Sequence, residues 1–239
     1  PLTRLWGLSA PSGRTVLDVR FERLRPGLVG LGIQRPTLFG VLHKAAIKED
    51  IDLVTSREIT GACAQTGEIQ FRTGPPPPGF DLVIDAMGVR SPLTRAPRRE
   101  LTYGALWTTL DWPDASPFKA DALEQRYRGA RQMAGVMASG RHTPNGPQSL
   151  TYFWSIRGDW KRDARALWPE TEMLLDQITH HEQLTFARYR HRTHRRPVSG
   201  PCLVHIGDAW HAASPQLGQG ANMALLDAYA LSLALERSA

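Results

Sequence analysis

The apolar residues near the end of this chain form two patterns, and each predicts a different element. The short continuous run from Cys202 to Ile206 is typical of a buried β-strand, and a longer apolar stretch ending near Leu235 predicts a helix. Gly207-Asp208 follows the strand directly, and Gly218-Gln219-Gly220 opens the helix. This order predicts a βα unit whose first backbone N–H groups, which lack partners within the helix, face an electron-rich or anionic ligand group.

The first half of the chain carries weaker signals. Arg35-Pro36-Thr37 begins a predicted helix, because proline suits the first helical turn. Four apolar positions with helical spacing predict one buried stripe on it: Leu38, Val41, Leu42 and Ala45. Residues 1–26 are expected to be mainly irregular, with short strands at most. Ile51–Thr55 predicts a strand, and the residues around Thr66-Gly67 predict a β-pair.

From Leu101 onward, alternating apolar positions predict spaced strands separated by turn-rich segments. These strands are expected at residues 101–112, 123–127, 132–138 and 149–156. A mainly antiparallel sheet follows from this pattern. A helix is expected over Trp168–Ile178, with Leu174, Leu175 and Ile178 facing inward.

Composition restricts the class of protein only loosely. The 239 residues are 41% hydrophobic and 22% charged, which is ordinary for a globular protein. No apolar run approaches the roughly 18 residues that span a membrane, and no His, Cys or carboxylate spacing indicates a metal site. Two distant cysteines, Cys63 and Cys202, are expected as small core residues in a reducing cytoplasm, where we predict the protein to reside.

The net charge of +6 is concentrated in one run, Arg188–Arg196. Such a run can bind nucleic acid, but it lacks any recognised nucleic-acid module. A solvated loop is therefore the favoured interpretation, and no nucleic-acid partner is expected. The glycine-rich segment Gly27–Gly32 has the spacing GxxGxG, which is not the dinucleotide fingerprint GxGxxG.

The segment from Gly207 onward resembles the GD motif of the FAD-dependent aromatic hydroxylases, the single-component flavin monooxygenases similar to p-hydroxybenzoate hydroxylase. Their pattern is GDAAHxxxPxxGQGxNxAxxDAxxLAxxL. The matching positions are Gly207, Asp208, Ala209, His211, Pro215, Gly218, Gln219, Gly220, Asn222, Ala224, Asp227 and Ala228, with Trp210 in place of a usual alanine. Arg35, Leu38 and Leu42 also match the RxxL…L helix that lies against FAD in this family.

The stretch from Phe80 to Ser91 resembles the family's second flavin motif, DLVIGADGxxSxxR. Two positions differ, because Met87 replaces the motif's aspartate and Asp85 replaces a usual glycine. The closing arginine, Arg95, comes one residue late. A thioether accepts only weak hydrogen bonds, so Met87 puts NAD(P)H handling in doubt while FAD binding stays expected.

The resemblance implies a mixed α/β fold: a partial Rossmann-like FAD-binding domain with an inserted, mainly antiparallel β-sheet substrate domain. The FAD-binding domain would comprise residues 1–95 and 198–239, without the N-terminal ADP-binding unit, and the insertion residues 96–197. Because that unit carries the family's GxGxxG segment, we expect the chain to be a fragment.

The implied cofactor ligands are Arg35, Gly207, Asp208, Pro215, Gly218, Gln219, Gly220, Ala221 and Asn222, with no general base assigned. The implied activity is hydroxylation of an aromatic or other hydrophobic small molecule by O₂ and NAD(P)H, through a flavin C4a-hydroperoxide. Two alternatives stay open: a flavin-dependent halogenase, and a non-catalytic flavin-fold remnant with a basic binding surface.

Overall fold

The computed structural model describes residues 1–94, 99–141, 143, 145–155, 160–212 and 218–238, with only the backbone of residues 99–103. The strands are β1 (Arg4–Ser9), β2 (Thr15–Arg20), β3 (Ile59–Ala62), β4 (Ile69–Phe71), β5 (Val83–Asp85), β6 (Arg99–Asp111), β7 (Ala122–Arg128), β8 (Gln132–Arg141), β9 (Gln148–Ser155), β10 (Thr185–Thr193), β11 (Val198–Gly200) and β12 (Leu203–His205). The helices are α1 (Arg35–Lys48), α2 (Trp160–Leu167), α3 (Glu172–Leu175), α4 (Asp208–His211) and α5 (Gly220–Glu236).

The described residues form two compact units, one of residues 1–51 with 103–188 and the other of residues 52–102 with 189–239. The predicted domain boundaries differ from these units. The assignment of a cofactor role and a substrate role to the two predicted domains stays a prediction.

Most of a seven-stranded sheet, in the order β10-β6-β9-β8-β7-β1-β2, belongs to the first unit. The pairs β6–β9, β8–β9 and β7–β8 are antiparallel, as the alternating pattern predicts. On β9, Tyr152 and Trp154 are fully buried and pack into the core beneath α2 and α3. Leu174, Leu175 and Ile178 are also buried, as expected, although the predicted helix is reduced to short helical turns around α3.

The N-terminus is more regular than predicted: β2 covers most of the positions at which short strands were expected, Val16-Leu17 and Val19–Phe21, and it forms a hairpin with β1 at the edge of this sheet. Strand β1 also pairs in parallel with β7, more than a hundred residues away. Gly7 permits this packing, since a Cβ at that position would lie 2.6 Å from the Tyr127 ring. A pairing of such long range leaves no local pattern in the sequence.

Helix α1 begins at Arg35, as predicted, but its predicted buried stripe is wrong. Val41 is 59% exposed and Leu42 is 49% exposed. Helical spacing identifies an apolar face and does not identify what covers it. The predicted strand at Ile51–Thr55 is likewise absent from this fully described segment.

The basic run at Arg188–Arg196 is not a solvated loop. Its first part belongs to β10, where Tyr189 and Arg192 are buried and their neighbours are more exposed. Alternation along a strand sends successive side chains to opposite faces. Arg188, Arg190 and Arg192 are at alternate positions and therefore lie on one face of β10, where Arg188 is exposed and Arg192 is buried.

The second unit contains a three-stranded sheet in the order β11-β12-β5 and the separate β3–β4 hairpin. The hairpin confirms the β-pair predicted around Thr66-Gly67. Strand β12 is antiparallel to β11 and parallel to β5. Helices α4 and α5 follow β12, so the predicted order of strand, loop and helix is confirmed.

Candidate functional site

The second unit brings the two sequence motifs to one edge of its sheet. Strands β5 and β12 are parallel, with His205 paired to Asp85 at their carboxyl ends. The N–H of Ile206 donates a 3.0 Å hydrogen bond to the Asp85 carbonyl, which extends the pairing by one residue. Ligands of open α/β sheets bind beyond the carboxyl ends of parallel strands. The turns that follow the two strands therefore define the candidate site.

Gly207 starts the turn after β12 in a conformation that other residues rarely adopt, with φ of 56° and ψ of −139°. A Cβ at this position would also lie 3.0 Å from the Cβ of Ala224 on helix α5. Both the backbone angles and the close approach require glycine here. The predicted site residue thus allows the turn to lie directly against the helix.

Asp227 on α5 holds this turn in place. One of its carboxylate oxygens accepts a 2.7 Å hydrogen bond from the Gly207 N–H and lies 2.6 Å from Nε2 of His211. The carboxylate accepts from His211, which supports the loop-packing role expected for that histidine. Asp227 matched the motif but was not predicted as a site residue. Its signal in the sequence is a carboxylate in the middle of a mainly apolar helix.

The Asp208 side chain is exposed and lies next to two glycines of different segments. A Cβ at Gly220, the first residue of α5, would lie 3.9 Å from Oδ1 of Asp208. A Cβ at Gly88, in the turn after β5, would lie 4.0 Å from the Asp208 Cβ. The carboxylate therefore lies between the two motif turns, and neither glycine adds a side chain that would cover it.

The start of α5 supplies a set of exposed backbone groups. Gly218 has φ of 63°, Gln219 precedes the first helical residue, and Asn222 Nδ2 donates a 3.0 Å hydrogen bond to Gln219 Oε1. The five predicted ligands here are all exposed: Gly218, Gln219, Gly220, Ala221 and Asn222. The helix has 17 residues, so its first amides carry the positive end of a substantial dipole.

Two predicted cofactor ligands are not part of this cluster as described. Arg35 is exposed at the first position of α1 in the other compact unit. Pro215 lies outside the described residues, as does Arg95 of the second motif. Their roles stay predictions.

The second motif has an internal anchor that the sequence did not reveal. The carboxylate of Asp85, which is 1% exposed, accepts hydrogen bonds from the Ser91 hydroxyl at 2.6 Å and the Met87 N–H at 3.1 Å. It also lies 2.8 Å from Nδ1 of His205. Burial raises the pKa of Asp85, but the hydrogen bonds from His205, Ser91 and Met87 outweigh it and hold the pKa below its ordinary value.

Asp85 therefore does not replace the aspartate that the motif usually carries two residues later. That position is held by Met87, which is 40% exposed. Met87 lines a shallow apolar cavity of about 250 Å³ together with Phe80, Val83 and Leu93. An apolar lining offers no strong acceptor to a cofactor hydroxyl or amide.

Part of the chain matches a known family model. Residues 156–238, which include the turn at Gly207-Asp208 and helix α5, match the family model described as FAD binding domain. No curated protein matches the chain by sequence. In this segment the predicted motif and the family model thus agree.

Three solved structures are similar to the whole chain in fold. The tetrameric form of 2-methyl-3-hydroxypyridine-5-carboxylic acid oxygenase is 18% identical with a TM-score of 0.75, over 100% of this chain and 65% of that protein. HpxO of Klebsiella pneumoniae, solved with FAD, is 18% identical with a TM-score of 0.72, over 94% of this chain and 62% of that protein. PqsL of Pseudomonas aeruginosa, a probable FAD-dependent monooxygenase, is 16% identical with a TM-score of 0.73, over 98% of this chain and 68% of that protein.

The predicted resemblance to the FAD-dependent aromatic hydroxylases and the predicted mixed α/β fold class are both confirmed by these matches. The chain spans 65% of the length of the first of these structures. Among the helices that the structure describes, none is both long and apolar enough to cross a membrane.

Proposed function

We propose that this chain forms the larger part of a FAD-dependent monooxygenase that hydroxylates an aromatic or other hydrophobic small molecule with O₂ and NAD(P)H. One observation carries the proposal. The exposed Asp208 carboxylate lies beyond the carboxyl ends of β5 and β12, close to Gly88 and Gly220. This is the sheet edge at which a dinucleotide is expected in an α/β fold.

The chemistry of the described residues fits FAD. Asp208 is an acceptor for the hydroxyls of the ribityl chain, and the glycines on either side leave the backbone open to close approach. The first amides of α5 are donors for the electron-rich edge of the isoalloxazine ring. We propose Gly207, Gly218, Gln219, Ala221 and Asn222 as the remaining contacts in this unit.

When bound, FAD would take electrons from NAD(P)H and use them to activate O₂ for transfer of one oxygen atom to the substrate. The protein's own contribution is orientation and electrostatics. Asp227 fixes the Gly207 turn, so that Asp208 keeps one position. The N-terminal dipole of α5 favours negative charge placed next to it, which is where we expect the reduced ring.

Two further parts of the proposal have separate support. Arg35, exposed at the start of α1, offers fixed donors to phosphate or flavin oxygens. An aromatic substrate is suggested by the similar fold of an oxygenase named for a hydroxypyridine carboxylic acid. The NAD(P)H donor rests on the resemblance alone, because Met87 lies among apolar residues.

The cofactor part can be tested with Asp208→Ala and a matched control, Asp114→Ala, which removes an exposed carboxylate from the first unit. FAD would be titrated into each protein and followed by quenching of flavin fluorescence. Loss of charged hydrogen bonds worth about 1.5–3 kcal/mol predicts a dissociation constant raised about 10- to 100-fold for Asp208→Ala only. Equal affinities in the unchanged chain and both variants, or no binding in any of the three proteins, would contradict the proposal.

The reaction itself can be tested on the FAD-loaded protein. NADH and NADPH would be added anaerobically, and bleaching of the flavin spectrum followed with and without hydroxylated aromatic acids. The proposal expects bleaching that an aromatic substrate accelerates, and incorporation of one atom of ¹⁸O₂ into the product. Oxidation of the nicotinamide with release of hydrogen peroxide alone would argue against a hydroxylase.

A further inference from the structure

A second set of reactive side chains lies on the small sheet and is not used by the proposed function. Oγ of Ser199 on β11 is 2.6 Å from Nε2 of His205 on β12. Nδ1 of the same histidine is 2.8 Å from Oδ2 of Asp85 on β5. A serine, a histidine and an aspartate are thus joined in a line across all three strands of the sheet.

The protonation of this line follows from its chemistry. Asp85 also accepts a hydrogen bond from the Ser91 hydroxyl, so it acts as a carboxylate and accepts a hydrogen bond from the Nδ1–H of His205. In the neutral imidazole, Nε2 is then the acceptor, and the Ser199 hydroxyl donates to it. This tautomer and this order of contacts are those of hydrolases in which histidine serves as base to a serine nucleophile.

Of these three residues, only the serine is exposed. Ser199 is exposed, whereas His205 is 0% exposed and Asp85 is 1% exposed. The imidazole is fixed on one face by His194, whose ring stacks on it at 5.4 Å with an interplanar angle of 6°. The base is therefore held rigidly and shielded from water, and only the hydroxyl is open to a substrate.

Local backbone geometry directs Ser199 to this contact. Strand β11 pairs with β12 at Val198 and Gly200, and the register shifts between these residues. A β-bulge of this kind redirects a side chain, and such bulges are common next to active sites. Strand β11 is also at the edge of its sheet, so the Ser199 hydroxyl can be approached from outside.

We propose that Ser199 is a nucleophile and that this chain has a second activity, acyl transfer from small activated esters. His205 Nε2 takes the hydroxyl proton while Oγ of Ser199 forms a bond to the ester carbonyl carbon. The bond to the leaving alcohol then breaks, and that alcohol receives the proton from His205. Water attacks the resulting acyl-serine with the same histidine as base, which releases the acid and restores the hydroxyl.

The position of Ser199 at an open strand edge defines the class of substrate. Few protein groups surround a nucleophile at a strand edge, so contacts with the rest of the substrate contribute little binding energy. We therefore expect reaction with esters that have good leaving groups, and with fluorophosphonates. In the latter, the serine oxygen forms a bond to phosphorus and fluoride leaves.

The test is covalent labelling with a fluorophosphonate, followed by peptide mapping in a mass spectrometer. The exposed Ser12 of the first unit serves as an internal control for ordinary serine reactivity. The proposal predicts that Ser199 is labelled at least about tenfold faster than Ser12, and that Ser199→Ala hydrolyses p-nitrophenyl acetate at least about tenfold more slowly than the unchanged chain. Ser12→Ala should leave hydrolysis unchanged.

The variant Asp85→Asn tests whether His205 activates Ser199 as a base or whether Ser199 reacts only because it is exposed. Asparagine removes the carboxylate that fixes the histidine tautomer, so labelling of Ser199 should fall about tenfold or more while circular dichroism shows the fold is kept. The proposal is overturned if Ser199 in the unchanged chain reacts no faster than Ser12, a result that does not depend on Asp85→Asn folding. None of these readouts involves FAD, so this proposal and the monooxygenase proposal fail independently.

Discussion

The carboxylate of Asp227 accepts a 2.7 Å hydrogen bond from the backbone N–H of Gly207, which ties the middle of helix α5 to the turn after β12. The adjacent residue, Asp208, is the side chain on which the cofactor proposal depends. Helix α5, in which no residue is fully buried, thus makes a polar contact with the turn that bears on function. Asp227 is therefore a positioning residue for Asp208.

Asp227→Asn should weaken both the turn and the cofactor site. The amide oxygen of asparagine carries less negative charge than a carboxylate oxygen, so it accepts weaker hydrogen bonds from Gly207 and His211. We expect a loss of about 1–3 kcal/mol in the free energy of unfolding. Urea denaturation would measure this loss, and FAD titration should show weaker binding. Asp114→Asn is the control. Unchanged stability and affinity would show that the Asp227 contacts do not position the turn.

Gly207→Ala should be more damaging than an ordinary glycine substitution. It combines a positive φ of 56° with a Cβ placed 3.0 Å from Ala224. Gly13 has a positive φ of 65° with open space around it, so Gly13→Ala carries only the backbone cost of about 1 kcal/mol or slightly more. We expect thermal unfolding to show a larger loss for Gly207→Ala, and equal losses would contradict the close approach of turn and helix.

The strands and the glycine–aspartate turn could be predicted from sequence because their signals are local. Alternation marks β7 to β9, and an apolar run followed by Gly207-Asp208 marks a strand that ends in a turn. The β1–β7 pairing and the exposure of the apolar face of α1 could not be predicted in this way. Both depend on which surface comes to lie against the element, and helical or strand periodicity is the same whatever covers it.

The polar contacts of the candidate site could not be predicted from the sequence either. Asp85 was recognised only as a departure from a motif, and His205 only as one position in an apolar run. Their 2.8 Å contact depends on the parallel register of β5 and β12, which pairs residues 120 positions apart. A carboxylate and an imidazole in two buried strands are nevertheless a signal in the sequence, because each needs a partner when buried.

The Asp85 carboxyl should give the protein a measurable dependence of stability on acid. Although burial raises its pKa, the hydrogen bonds from His205, Ser91 and Met87 keep it below 3.8. A carboxyl whose pKa is lower in the folded state stabilises the fold above its unfolded pKa, and that contribution is lost as pH falls below about 4.

Urea unfolding of the unchanged chain and of Asp85→Asn between pH 2.5 and 7 would test this expectation. The variant should be less stable at pH 7 by about 3 kcal/mol, because a buried pair is broken. Its stability should also decrease less steeply below pH 4. Parallel pH profiles for the two proteins would show that the pKa of Asp85 is the same in the folded and unfolded states, which would contradict the lowered pKa.

Tyr152 offers a test at alkaline pH in the other unit. Burial raises its pKa to about 12, while its hydroxyl donates a 3.2 Å hydrogen bond to Thr171. A phenol with a raised pKa stabilises the fold below its unfolded pKa of about 10, and this contribution is lost as pH rises toward 12. Tyr152→Phe should cost about 1 kcal/mol at pH 7 and remove the last tyrosine ionisation step in an ultraviolet titration. An unchanged titration curve would contradict the burial.

The central claim is that this chain builds a flavin site around Asp208, and the visible absorption spectrum of the purified chain tests it most directly. The spectrum would be recorded before and after addition of FAD and removal of the unbound cofactor. We predict an oxidised-flavin spectrum that stays with the protein and is lost in Asp208→Ala but not in Asp114→Ala. A protein that stays colourless after excess FAD, or a bound-flavin spectrum that is the same in Asp208→Ala as in the unchanged chain, would contradict the account.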